Sequence, residues 1–240
     1  MILTIYNTKQ ELAEKFAEFF YDFTKGKEEI HVALSGGSTP KIVFEVLATR
    51  YSSKINWNKI NFYWGDERCV PPSDDQSNYK MTREYLFSKI DIPKSNIHRI
   101  KGENLPEDEV IAYSKVLEEN IPLNKGVPQF DLLILGMGDD GHTASIFPHQ
   151  IALWDSERNC EVAQHPESGQ HRITLTGKVI NNAARVVFLV TGLAKAEKLR
   201  EIVREENSFI AYPAALVDPE SGILNWYLDR EAASQLGTAD

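Results

Sequence analysis

Short strand-like runs alternate with helix-like stretches along nearly the whole chain, and that alternation limits the folds open to it. Ile2 to Tyr6 reads as a strand, and Thr8-x-x-Glu11 behind it is a capping box that opens an amphipathic helix reaching about Phe23. Ile30 to Leu34 is a second strand; after SGGSTP comes a helix from Lys41 to about Arg50, with Pro40 suited to its first turn and Thr39 to its cap. Ile60 to Trp64 is a third strand, followed by a long loop to Asn78 and a helix from about Tyr79 to Ser88. A short strand near Ile97 to Ile100, a helix from about Glu107 to Glu119 and a strand from Phe130 to Leu135 come next. The remainder reads as a strand from Arg172 to Thr176, a short helix near Val179, a strand from Val186 to Val190 and a helix from Ala194 to Arg204. A last strand spans Ile223 to Leu228, ahead of a short C-terminal helix. Such alternation predicts an α/β fold whose mostly parallel sheet is covered by helices on both faces. No internal repeat, low-complexity tract or linker divides the chain, so residues 1–240 are expected to form a single α/β domain, with room for a small subdomain from the middle of the chain.

Charge and composition exclude several partners. The net charge of −9 disfavours nonspecific nucleic-acid binding and gives no sign of a membrane-surface partner. No apolar run approaches the roughly 18 residues of a membrane-spanning helix. The opening MILTIYNTKQ lacks the basic and apolar regions of a signal peptide. Cys69 and Cys160 have no CxxC spacing and read as free thiols of a cytoplasmic protein.

In sheets of this class ligands sit beyond the carboxyl ends of the strands. Three informative loops leave such ends, after Leu34, Trp64 and Leu135. The last begins GMGDDGH, so Gly136, Gly138 and Gly141 spell G-x-G-x-x-G, the dinucleotide fingerprint. Two objections stand against that reading. Asp139 and Asp140 would repel a pyrophosphate, and the acids about 20 residues on, Asp155 and Glu157, follow a loop and not a second strand. His142 suits acid–base chemistry near neutral pH, with Asp140 as its orienter. The six histidines show no H-x-x-x-H or H-x-H spacing, so no metal site is expected. No G-x-S-x-G nucleophile elbow occurs either.

In SGGSTP, Gly36, Gly37, Ser38 and Thr39 lie between a strand and a helix start, where free N–H groups and the helix dipole attract an anion. It is not a P-loop, since no G-x-x-x-x-G-K occurs there. In WGDERCVPPSDDQSN, Asp66 and Arg68 emerge at a strand end; Arg68 either forms a local ion pair or meets a carboxylate or developing oxyanion. Arg172 opens a strand and Lys195 opens a helix, and both are placed to close on a phosphate held by SGGST or to stay exposed.

These segments, in the order SGGSTP, WGDERCVPPSDDQSN, GMGDDGHTASIFP, RITLTGKVI and TGLAKAEKL, resemble the family that joins 6-phosphogluconolactonases with glucosamine-6-phosphate deaminases. The ending YPAALVDPESGILNWYLDREAA resembles it too. The resemblance implies a Rossmann-like α/β fold and hydrolysis of 6-phospho-D-glucono-1,5-lactone to 6-phosphogluconate, the second step of the oxidative pentose phosphate pathway. It implies no cofactor, nucleotide or metal, and a cytoplasmic monomer or weak dimer. Carried onto this chain, it makes His142 the general base and Arg68 a substrate and transition-state contact. Gly36, Gly37, Ser38 and Thr39 line the site, Arg172 and Lys195 hold the phosphate, and Asp66 and Asp140 match motif acids. The deaminase branch is the alternative. Its histidine motif, DGHIAFNEP, carries a glutamate five residues on, where this chain has Phe147, and it favours tyrosine where this chain has Arg68.

Overall fold

IHVAL and VVFLV are buried at every position, as strands covered on both faces must be. The computed structural model describes residues 1–237. Its elements are β1 (Ile2–Tyr6), α1 (Lys9–Thr24), β2 (Ile30–Leu34), α2 (Ser38–Arg50), β3 (Ile60–Trp64), β4 (Asp66–Arg68), α3 (Asn78–Tyr85) and α4 (Pro106–Asn120). They continue with β5 (Leu123–Asn124), β6 (Val127–Pro128), β7 (Leu132–Leu135), β8 (Cys160–Gln164) and β9 (His171–Leu175). Last come α5 (Gly177–Asn182), β10 (Val186–Val190), α6 (Ala196–Val203) and β11 (Leu224–Asp229).

The central sheet has six strands in the order β1-β11-β10-β7-β2-β3, every pairing parallel. It is the α/β sheet expected from the alternation, with helices packed on its faces. Leu12, Phe16 and Phe20 of α1 are buried, and the Phe16 ring meets Tyr227 of β11 edge-on at 5.7 Å. Burying each such side chain contributes on the order of 1.5–3 kcal/mol. From β2 the chain steps outward to β3 and later returns on the other side of β2 as β7. Loops leaving β2 and β7 therefore diverge at a switch in strand order, where such sheets open a crevice.

A second sheet was not anticipated. β4, β9 and β8 form a three-stranded antiparallel sheet, so the strand at Arg172 stands outside the parallel sheet. Gly65 joins the two layers: its N–H donates to Leu34 of β2 at 2.9 Å, and its carbonyl accepts from Leu175 of β9 at 2.8 Å.

Other expectations are corrected in detail. Gly37, at φ 108°, caps α2 in place of Thr39, and the helix begins at Ser38. Thr8 accepts from the Glu11 N–H, but the Glu11 carboxylate reaches back to the backbone and side chain of Asn7. Only Ile97 of the stretch near Ile97 to Ile100 bridges to Phe62. Beyond β11 the described residues form turns in place of a C-terminal helix.

His31 of β2 is 3% exposed, with Nδ1 at 3.3 Å from the Tyr63 hydroxyl, and His98 stacks on the same Tyr63 ring at 4.5 Å. Burial holds both histidines below their ordinary range, so folding resists their protonation. Above the ordinary value of about 6.5, both states are neutral and stability is complete. Below it the unfolded chain takes up protons that the interior refuses, and stability falls as pH drops. His31→Gln should flatten that fall in denaturant melts between about pH 5 and 7.5; an unchanged slope would remove His31 as a source.

Candidate active site

The parallel register Leu34 to Trp64, with β7 on the far side of β2, sets three strand ends side by side. Their loops close around a cavity of about 210 Å³. Ser35, Gly36 and Gly37 come from the loop after β2, and Asp66, Arg68 and Asn78 from the chain after β3. Gly136 to Asp139, His142 and Ala144 come from the loop after β7, while Arg172 of β9 and Lys195 beyond β10 complete the wall.

His142 has Nδ1 at 2.6 Å from Oδ1 of Asp140, which also accepts the His142 backbone N–H at 3.0 Å. A carboxylate only accepts, so the proton of this bond sits on Nδ1 and the lone pair is left on Nε2. Burial opposes ionisation of Asp140, but the hydrogen bond and charge of His142 outweigh it and hold the carboxyl below its ordinary range. Phe147, 1% exposed, packs against the imidazole at 4.6 Å between ring centres.

The loop glycines serve this arrangement. A Cβ on Gly138 would overlap the His142 imidazole, and one on Gly141, at φ +84°, would fall 2.8 Å from the Tyr212 ring. They admit the protein's own side chains. Gly36 is equally constrained, because a Cβ there would overlap the Asn78 carboxamide. Asn78 in turn donates from Nδ2 to the Asp66 carbonyl at 3.0 Å, tying the first loop to the second.

Arg68 is positioned by its neighbour. The Glu67 carboxylate, 2% exposed, accepts from the Arg68, Asn78 and Tyr79 N–H groups, each at 2.8 Å, and from the Ser77 hydroxyl at 3.0 Å. Burial pushes its carboxyl up, and the backbone donors only partly counter that. Glu67 thus anchors β4 to the N-terminus of α3.

Arg68 stands directly across from Arg172 in the β4–β9 ladder. Like charges facing each other across strands repel. Burial lowers the Arg172 guanidinium from its ordinary range; the Asp66 charge opposes that fall and Arg68 adds to it. The Nε atoms of both side chains are buried without a hydrogen-bond partner. Asp66 does not neutralise them directly: its Oδ2 accepts from the Ser145 hydroxyl at 2.6 Å, and Arg172 reaches only that same hydroxyl, at 3.4 Å. An anion between the two arginines would supply both the missing acceptors and the missing charge.

Seven of the ten residues singled out from sequence line one cavity, namely Gly36, Gly37, Asp66, Arg68, His142, Arg172 and Lys195, and Asp140 is tied to it through its bond to His142. Ser38 opens instead onto adjoining depressions, and Thr39 is buried with its hydroxyl 2.7 Å from that of Thr191. Asn78, Met137 and Ala144 line the cavity without having been singled out; Asn78 had marked only a loop's end. Among the described residues no three His, Cys, Asp or Glu side chains cluster to hold a metal ion, and no helix is long and apolar enough to cross a membrane.

The sequence model of the family described as Glucosamine-6-phosphate isomerases/6-phosphogluconolactonase matches residues 6–226. A 6-phosphogluconolactonase of Haemophilus influenzae is 46% identical over 95% of this chain and 97% of its own. The structure of the 6-phosphogluconolactonase of Thermotoga maritima superposes with a TM-score of 0.82 at 31% identity, covering 95% of this chain and 99% of that one. A monomeric glucosamine-6-phosphate deaminase, at 21% identity, superposes with a TM-score of 0.83 over 98% of this chain and all (100%) of its own. The fold itself is therefore common to both activities.

Gly138→Ala should drive the imidazole off Asp140. Asp140 would keep the burial that pushes it up and lose the imidazole that holds it down, so its carboxyl should titrate higher than in the wild type. Carbon-13 NMR titration measures this; a value unchanged from the wild type would mean that the ring had not moved.

Proposed function

Since the chain belongs to the glucosamine-6-phosphate isomerase/6-phosphogluconolactonase family, we propose that it hydrolyses 6-phospho-D-glucono-1,5-lactone to 6-phosphogluconate. The observation that carries this reading is the His142–Asp140 pair, 2.6 Å apart, with His142 facing a cavity shared by two arginines whose Nε groups lack acceptors.

In the proposed reaction Asp140 holds the Nδ1–H tautomer, and Nε2 of neutral His142 takes a proton from water as the oxygen attacks the C1 carbonyl. The tetrahedral intermediate places negative charge on the former carbonyl oxygen, which Arg68 or the N–H groups of the glycine loops stabilise. Collapse breaks the bond from C1 to the ring oxygen, and the imidazolium returns its proton to that oxygen. Arg172 and Lys195 hold the phosphate, with the N–H groups of Gly36 and Gly37 beside it, so that remote binding energy orients the ester. Asp66 braces this wall through Ser145.

Phe147 favours the lactonase over the deaminase. The deaminase motif needs a carboxylate at this place for ring opening, whereas here an apolar ring packs on the base. Lactone hydrolysis needs one activated water and a place for negative charge, which the site's parts can supply. Cys69 and Cys160 are free, which fits a reducing, cytoplasmic setting.

Freshly made lactone, followed against its spontaneous hydrolysis, tests the activity. His142→Ala should lower kcat by ~10²- to 10⁴-fold; a folded variant with near-normal kcat would reject His142 as the base. Arg172→Ala and Lys195→Ala should mainly raise KM, and unchanged affinity for 6-phosphogluconate would remove them as phosphate contacts.

A further inference from the structure

Between Asp140 and His142 stands a single residue, Gly141, in the left-handed region at φ +84°. Its torsions set how the carboxylate meets the imidazole. The loop braces itself on one side, where the Gly138 N–H donates to the His142 carbonyl at 2.9 Å and the Gly141 N–H to the Gly138 carbonyl at 3.2 Å. On the other side the support comes from a distant part of the chain. The Tyr212 ring lies against the Gly141 Cα, so closely that an added Cβ would sit 2.8 Å from it. Two residues on, the Ala214 N–H donates to the Gly141 carbonyl at 3.0 Å. Side chain and backbone of one segment thus clamp the same glycine.

Tyr212 is itself held by charged groups that take no part in the proposed reaction. Its hydroxyl donates to Glu201 of α6 at 2.6 Å. Lys198, one turn earlier on α6, donates to that carboxylate at 3.0 Å and to the Tyr212 hydroxyl at 2.9 Å. Asn207 fills the other carboxylate oxygen at 2.9 Å. Glu201 is only 5% exposed. Burying such an ion pair gives little net stability, while its geometry fixes whatever is bonded to it. The same helix follows directly on Lys195, in the cavity wall.

We propose that Tyr212 is a positioning residue for the His142–Asp140 pair, locked against Gly141 by Lys198 and Glu201. The proposal rests on the reading of His142 as general base, and it places the control of that base on α6, outside the cavity. Without the ring, one jaw of the clamp on Gly141 is lost and the imidazole slips from its register with the carboxylate. A base displaced by an ångström still allows substrate to bind, so the loss falls on turnover.

Three variants test this. Tyr212→Leu removes the flat ring, Tyr212→Phe keeps the ring and removes the hydroxyl, and Glu201→Gln weakens the lock. Lactone hydrolysis by Tyr212→Leu should show kcat lowered by about 10- to 100-fold with KM within about twofold. Tyr212→Phe should recover most of that loss, and Glu201→Gln should fall between the two. If Tyr212→Leu fails to fold, Glu201→Gln decides: lowered kcat at an unchanged melting temperature supports the proposal, and unchanged kcat overturns it. Normal kcat in a folded Tyr212→Leu overturns it as well, as does a matching loss of 6-phosphogluconate affinity, which would mark a general structural role. The His142 ring signal in nitrogen-15-labelled protein separates this test from the choice of substrate. Should wild type leave the lactone untouched, the functional reading falls, while loss of the Nδ1–H resonance in Tyr212→Leu still supports the clamp. Persistence of that resonance overturns it.

Discussion

The parallel ladder of β7, β2 and β3 is the constraint from which the site follows. Backbone hydrogen bonds put the carboxyl ends of three neighbouring strands at one edge, so loops about 30 and 70 residues apart in sequence meet without further arrangement. Because the strands are buried on both faces, their register cannot slip without exposing apolar side chains or burying polar ones. The loops inherit that rigidity. Gly65 then carries the ladder into the antiparallel sheet, so Arg172 is fixed to the same frame.

Within that frame the charges are arranged against their own comfort. The chain carries a net charge of −9, yet three cations converge on one cavity, two of them face to face across strands. Repulsion between Arg68 and Arg172, and their unsatisfied Nε groups, cost free energy. An anionic ligand relieves both. The cost is met by the hydrogen bonds of Glu67, which clamp β4 to α3 and leave the guanidiniums no easy retreat. A site built this way is preorganised for negative charge, whether on a phosphate or on a carbonyl oxygen becoming an oxyanion.

Most of the main sheet was legible from residue patterns, since β2, β3 and β10 have the expected ends and their apolar runs are local signals. The second sheet was not. Asp66–Arg68 is three residues of charge with no alternation to read, and it becomes a strand only because β9 lies beside it. That pairing also sets Arg68 opposite Arg172, a relation between residues about a hundred apart that spacing does not encode. Thr39 misled for a different reason. A threonine at a helix start invites a capping role, but the tight turn needs positive φ two residues earlier, so Gly37 takes the cap and Thr39 turns inward to Thr191. Asn78 was passed over because its importance lies in a contact, the absent Cβ of Gly36.

The glycine loop shows how one pattern can serve opposite purposes. In a dinucleotide site, missing Cβ atoms let a pyrophosphate approach the backbone. Here the space at Gly138 and Gly141 is taken up by His142 and Tyr212, and the acid that would repel a phosphate orients an imidazole instead. The substitution of purpose extends to Phe147. The deaminase motif carries a carboxylate at that place, and ring opening and amine loss need several proton transfers. An aromatic ring supplies no proton and keeps water from one side of the imidazole, so Asp140 is the single carboxylate bonded to the His142 ring among the described residues. In the proposed reaction, one orienting acid, one base and a wall of cations would move a single proton beside a developing negative charge, as ester hydrolysis requires.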